Sequence, residues 1–431
     1  MAAKIIIVEQ HQSSHNENLV LQRAVDEAAS CGGGVVEIRG GTYLMHDSLH
    51  LRSGVHIIGK DNPRLLKVPS ISVPLGDYLG YGHYEITVTK PDLLRVGMGV
   101  HITDDNAFGF YETVATIVDR DGNRFFIDRM LNHDYDPGQN GRVTTIFPII
   151  SGVGISDASI QSVLIDGSTE ETRELNGCRG GGVYLLGCRR IVVEDVAVSN
   201  YKGDAVSFQQ CANITIRRCN LTDNSGSGLH PGSGSVGYVM EYNRIERNGG
   251  CGVFYCLRTT HSICRANHIS ENAADGVSIG ERDTEHLIEG NEIVNNGSHG
   301  IVFRKPRYHG GDCVVLRSNL LALNCRAKPG SEIHIDSELR DIHITENSIK
   351  PLSGNCAVFV GPGCRSVAIW KNTVLDRPQA IEDITGETTA VQMRQPDTEL
   401  RVGPDVLPSD PEKHLGMRST QQHPRVHRTD F

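Results

Sequence analysis

The chain has 431 residues, 38% of them hydrophobic and only 5% aromatic, with 47 glycines and a formal net charge of −10. This composition suits many short strands and turns better than long helices. The acidity, with no basic tail or stripe, argues against a nucleic-acid partner. No apolar run reaches the roughly 18 residues a membrane-spanning helix needs.

The opening stretch MAAKIIIVEQHQSSHNENLV carries no basic segment followed by an apolar core and a small-residue cleavage site. The expectation is a cytoplasmic protein, or a secreted one whose leader has been removed. Residues 17–30, ENLVLQRAVDEAAS, place Leu21, Ala24, Val25 and Ala28 on one helical stripe. The glycines at 32–34 end that helix, and VVEIRGGTYLM begins the first strands. A solenoid must hide its open end, and a short amphipathic helix does so. Residues 1–74 therefore read as a cap and first rungs. Residues 75–146 break the rhythm with longer strands and an Asp121-Gly122 hairpin turn, and they read as a β insertion or flap.

From residue 147 to 390 the chain reads as stacked rungs. The segments DVAVSNYKGDAV, CNLTDNSGSGL, NRIERNGGCGV, NHISENAADGV and NEIVNNGSHGI begin at Asp195, Cys219, Asn243, Asn267 and Asn291, a spacing of 24. The series continues at Asn319, Asn347 and Asn372. A fixed period in this range marks a solenoid. Alternating apolar stretches such as VSI and IVF, broken by Asn and Gly, are strand and turn chemistry. Asn243, Asn267 and Asn291 should stack into a ladder in which side-chain amides satisfy one another and the turn backbone. The fold class expected is all-β, a right-handed parallel β-helix with an N-terminal capping helix and a small β insertion. Residues 391–431 are polar and Pro-rich and read as a tail.

Twelve cysteines are scattered with no Cys-x-x-Cys pair, so they read as reduced thiols packed as small apolar groups. No clustered Asp set suggests calcium, and neither metal nor cofactor is implied.

Aligning the rungs after each Gly-aliphatic pair gives Gly228-LHPGSGS, Gly252-VFYCLRT, Gly276-VSIGERD and Gly300-IVFRKPR. The second column, His230, Phe254, Ser278 and Val302, points outward, with Tyr184 in the same column and Tyr255 in the inward one. His230, Arg258, Glu281, Arg282, Asp283, Arg304 and Lys305 then gather over four rungs, about 15 Å at the ~4.8 Å strand spacing. His299 lies near enough to join them. Cations clustered on an acidic chain suit an anionic oligo- or polysaccharide. The bland alternative is a surface of cross-rung ion pairs, Glu281 with Arg258 or Lys305.

The cap helix, the Gly-Gly-Gly-Val-Val-Glu-Ile segment and the Gly-Gly-Thr-Tyr segment resemble the N-terminus of bacterial members of the pectate-lyase-like superfamily. The resemblance covers residues 15–60 and 150–375. GLHPGSGS and GVSIGERDT resemble segments of other bacterial β-helix repeat proteins, where the second often has His-Lys-Asp in place of Glu281-Arg282-Asp283. The resemblance implies carbohydrate metabolism. A lyase acting on a uronate would need a cation for the carboxylate, a base for the carbon acid and an acid for the leaving oxygen. Arg258, Arg282 and Arg304 suit the first role, with Glu281, Asp283 and His299 also at the substrate. Lys305 or His230 suits the base, and Tyr184, Tyr255 or His230 the acid. The alternatives are a hydrolase, transferase or epimerase using Asp204, Glu281 or Asp283, or a saccharide-binding β-helix without catalysis. The β-helix polygalacturonase pattern is absent, since Gly203-Asp204-Ala205 lacks a second Asp and Gly226-Ser227-Gly228 lacks the His. Oligomeric state, monomer or trimer, is not readable.

Overall fold

The computed structural model describes residues 4–10, 17–171, 173–375 and 381–383. The tail expected over residues 391–431 lies outside the described residues.

Strands from successive rungs pair in parallel to form three long sheets of twelve, eleven and eleven strands, the right-handed parallel β-helix expected from the repeat. One rung illustrates the path. Ala212–Arg217 lies in the first sheet, Asn220–Thr222 in the second and Leu229–Gly232 in the third. Inward positions stack aliphatics such as Val206, Leu229, Val253, Val277 and Ile301 into one continuous core. A short strand brings few side chains to the core, so stability comes from this stacking between rungs rather than from any rung alone.

The turns carry the asparagine ladder. Asn243 donates to Asn267 Oδ1 at 2.9 Å, Asn267 to Asn291 at 2.9 Å, and Asn291 to Asn319 at 3.0 Å. Asn347 and Asn372 extend it. The plus-five asparagines form a second ladder, from Asn224 through Asn248, Asn272 and Asn296 to Asn324, which donates to Glu332. Each amide also donates to the backbone carbonyl of an earlier turn, which satisfies buried groups that the bends leave unpaired.

The helix Glu17–Ser30 buries Leu21, Ala24, Val25 and Ala28 against the first rung and so covers that end of the core. A strand at Lys4–Val8 precedes it and pairs in parallel with Gly34–Ile38, so strand structure begins before the helix rather than after the glycines at 32–34. Between residues 72 and 144 a six-stranded antiparallel sheet has its own apolar core around Phe125, Ile102, Val100 and Leu131. Its strand Thr113–Asp121 lies beside the third sheet, where Thr116 Oγ1 donates to Asp47 Oδ2 at 2.7 Å.

Candidate functional site

The outward column of the third sheet runs, rung by rung, through His50, Ser151, Tyr184, Ser207, His230, Phe254, Ser278 and Val302. The column follows from strand periodicity. Once Val206 and Leu229 face the core, Ser207 and His230 must face out.

His230 is nevertheless buried, because residues 175–180 cross the outside of the sheet at this level. Gly177 O accepts from Ser207 Oγ at 2.6 Å, and a Cβ on Gly177 would collide with Asp204 Oδ2 and His230 Nδ1. Only a glycine lets the loop pass this close. Asp204, just before the adjacent strand, holds His230 Nδ1 at 2.6 Å and takes the Ser227 amide on its other oxygen. Burial by itself would lower the His230 pKa, but the Asp204 carboxylate, helped by the Cys256 thiol, raises it to about 10. The ring is therefore an imidazolium at neutral pH. Its Nε2 is buried, and the Cys256 thiol is in hydrogen-bond contact with the ring. An imidazolium oriented by a carboxylate is held in the form that can give up a proton.

Phe254 meets the His230 ring edge-on at 5.2 Å, and the Arg304 guanidinium lies 4.4 Å over the Phe254 ring. Arg304 reaches back from its own rung to donate to Ser278 Oγ at 2.6 Å and Tyr255 O at 2.7 Å. Two cations thus flank one aromatic ring. Cys178, on the crossing loop, and Cys256, on the following rung, are in hydrogen-bond contact. That contact is the main reason the Cys178 thiol falls below its ordinary range, while the same contact and burial push Cys256 up. Tyr184 stands two rungs before His230, donates to Cys178 O at 2.7 Å, and is kept protonated by burial.

The remaining expected residues separate. Tyr255 is fully buried inside the coil, with Ser262 Oγ 3.3 Å from its hydroxyl and the His286 ring 4.5 Å away, so it is a core residue and cannot act as the acid. Asp283 is also fully buried. It accepts from Thr259 N, Thr259 Oγ1 and Gly280 N, all at 2.9 Å, which makes it a turn anchor rather than a substrate ligand. Glu281 accepts the amides of Arg307, Tyr308 and His309 and pairs with Arg282 at 3.5 Å, not with Arg258 or Lys305. Arg258 and Lys305 are exposed, with Lys305 three rungs beyond His230, too far to serve as base at the same sugar. His299 is half-buried, with Nδ1 3.0 Å from Ser331 O and its ring 4.5 Å from His334. Cys178, Cys256 and Gly177 were not singled out from the sequence. The loop that carries two of them follows no rung spacing.

Among the described residues no group of three or more His, Cys, Asp or Glu side chains is arranged to hold a metal ion.

Residues 152–308 match the family described as right handed beta helix region. The chain is a right-handed parallel β-helix. No curated protein matches this β-helix in sequence. Among solved structures it is similar to the A-module of the Azotobacter vinelandii mannuronan C-5 epimerase AlgE4, with a TM-score of 0.55 and 16% identity over 86% of this chain and 94% of that one. The AlgE6 A-module of the same organism gives 0.55 and 14% over 88% and 96%. A tailspike of the Escherichia coli bacteriophage HK620, in complex with a hexasaccharide, gives 0.51 and 14%, over 88% of this β-helix and 62% of the tailspike chain. At these identities the likeness is one of fold.

Proposed function

We propose that this β-helix is a polysaccharide lyase that cleaves a uronate-containing chain by β-elimination. The observation that carries the reading is His230. It is a buried imidazolium, fixed by Asp204 on one side and with the Cys256 thiol also at the ring. Elimination needs such a group to protonate the departing glycosidic oxygen. Arg304, on the other side of Phe254, neutralises the uronate carboxylate and so acidifies the C5–H. Cys178 is the base, because the Cys256 contact lowers its pKa and its loop adjoins His230. The C5 proton passes to sulfur, the C4–O bond breaks, and the oxygen takes the His230 proton. The net products are an unsaturated uronate and a new saccharide end.

A second reading is supported by the two epimerase modules that share the fold. The first step is identical, and the carbanion is reprotonated at C5 instead of expelling O4.

The test incubates purified protein with alginate, polygalacturonate, glucuronan and heparosan. It follows ultraviolet absorbance of the unsaturated product, reducing ends, and solvent deuterium at C5. Absorbance and reducing ends rising together, and lost in His230→Ala and Cys178→Ala, is the expected outcome. Deuterium incorporation without absorbance selects epimerisation. Reducing ends without absorbance overturn proton abstraction at C5.

A further inference from the structure

A second constellation lies on the same outer face, three rungs before His230. Here the strand Thr113–Asp121 and the third sheet flank a small, partly open cleft lined by Asp47, His50, Thr116, Ser151, Arg179 and Tyr184. His50 Nδ1 is 2.8 Å from Ser151 Oγ, and His50 Nε2 is 3.3 Å from Asp47 Oδ2. Asp47 is itself held by the Ser48 amide at 2.8 Å and by Thr116 Oγ1 at 2.7 Å.

The proton assignment follows from the partners. A carboxylate only accepts, so Nε2 carries the hydrogen, and the Nδ1 lone pair faces the Ser151 hydroxyl. That is the arrangement of a general base aimed at a nucleophile, with the carboxylate fixing tautomer and ring. Cross-rung His–Ser contacts occur elsewhere in this coil without that third group. His286 meets Ser262 at 2.8 Å, but its other nitrogen faces Thr259 Oγ1 at 3.4 Å and the ring is fully buried. Only at Ser151 do the described contacts join serine, imidazole and carboxylate beside an open cleft.

Arg179 completes the arrangement. It reaches the same cleft, its guanidinium stacks 5.0 Å over Phe110, and its Nε is buried with no hydrogen bond. Its terminal nitrogen donates to Phe110 O, and a cation fixed in this way beside a serine nucleophile can offset the charge of a tetrahedral oxyanion.

We infer that Ser151, His50 and Asp47 form a serine-hydrolase centre for carboxylic esters, separate from the His230 site, with O-acyl groups on a saccharide as its substrate class. Ser151 Oγ attacks the acyl carbon while its proton moves to His50 Nδ1, and Arg179 stabilises the oxyanion. Collapse expels the sugar hydroxyl, which leaves with the proton from His50. Water, activated by the same imidazole, then hydrolyses the acyl-serine to release carboxylic acid and free Ser151.

The experiment uses the full chain, p-nitrophenyl acetate and a fluorophosphonate probe, with the labelled peptide mapped by mass spectrometry. Expected are release of p-nitrophenolate above the uncatalysed rate and label on Ser151. Ser151→Ala should lose about 10³-fold or more in kcat with an unchanged circular dichroism spectrum, and Asp47→Asn should lose kcat more than KM. Wild-type protein that takes no label, or takes it at another residue, overturns the inference whether or not the variants fold. Hydrolysis that survives Ser151→Ala overturns it equally.

Discussion

Asp204 and His230 stand on consecutive rungs with Oδ2 and Nδ1 2.6 Å apart, and this pair sets the charge of the candidate site. Without the carboxylate, burial would leave a neutral imidazole. With it, the ring holds its proton to about pH 10.

The pair makes stability depend on pH in a defined direction. The His230 pKa is raised from 6.5 to about 10 on folding, so the folded state binds the proton more tightly. The resulting stabilisation is fully present below pH 6.5, declines as pH rises, and is gone above about pH 10. Urea unfolding at intervals across this window should show wild-type stability falling more steeply than that of Asp204→Asn. An equal slope in the two proteins would mean that His230 is not held as an imidazolium.

Gly177 separates positioning from folding. Alanine there drives a methyl group into Asp204 and His230, so the loop carrying Cys178 and Arg179 must lift. Gly187→Ala is the control. Its backbone sits at φ +64°, a Cβ would meet nothing within 4 Å, and the cost should be confined to about 1 kcal/mol of left-handed strain. Gly177→Ala should lower kcat at least about tenfold, as misplacing catalytic groups does, while Gly187→Ala leaves kcat unchanged. Kinetics beside thermal melts of both variants provide the check.

The coil was legible because a solenoid repeats its own evidence. Asn243, Asn267 and Asn291 recur every 24 residues, and each is bonded to the next as the spacing requires. The outward column through His230, Phe254 and Ser278 was legible for the same reason, since one register places them all. The chemistry around that column was not. Asp204 precedes its strand in a turn, Cys178 lies on a loop outside the coil, and Ser151 meets His50 across 101 residues that include the antiparallel sheet. Strand periodicity says which way a side chain points within a rung, but not what a loop lays over it. Tyr255 and Asp283 show the converse. Both are polar groups in the expected segments, yet Tyr255 packs in the core and Asp283 closes a turn.

The ladder predicts its own cost of interruption. Asn267 donates to Asn291 Oδ1 and Met240 O at 2.9 Å and accepts from both the amide and the side chain of Asn243. Asn267→Ala leaves several buried groups without partners and should destabilise by about 2–4 kcal/mol, measured by urea unfolding. Asn372, at the half-buried end of the series, should cost less when replaced by alanine. Equal costs at the two positions would show that the amides act singly rather than as a chain.

Lys67 and Glu171 form a hydrogen-bonded ion pair whose side chains are 0% and 1% exposed. Lys67 also lies 5.2 Å over the Phe147 ring, and Glu171 accepts from Ser70 Oγ at 2.6 Å and from the Arg173 amide at 2.9 Å. The pair therefore ties the second sheet to the start of the segment that goes on to cross His230. Two desolvated charges contribute little net stability together, but either one alone is expensive. Lys67→Met strands the Glu171 carboxylate in the core and should cost about 3–5 kcal/mol. Lys67→Met with Glu171→Gln removes both charges and should recover most of that loss. Because the Glu171 end of the pair leads into the loop of Gly177 and Cys178, the single variant should also lower activity at the His230 site more than its residual folded fraction explains. A double variant as unstable as the single one would show that Lys67 acts by packing against Phe147 rather than by neutralising Glu171.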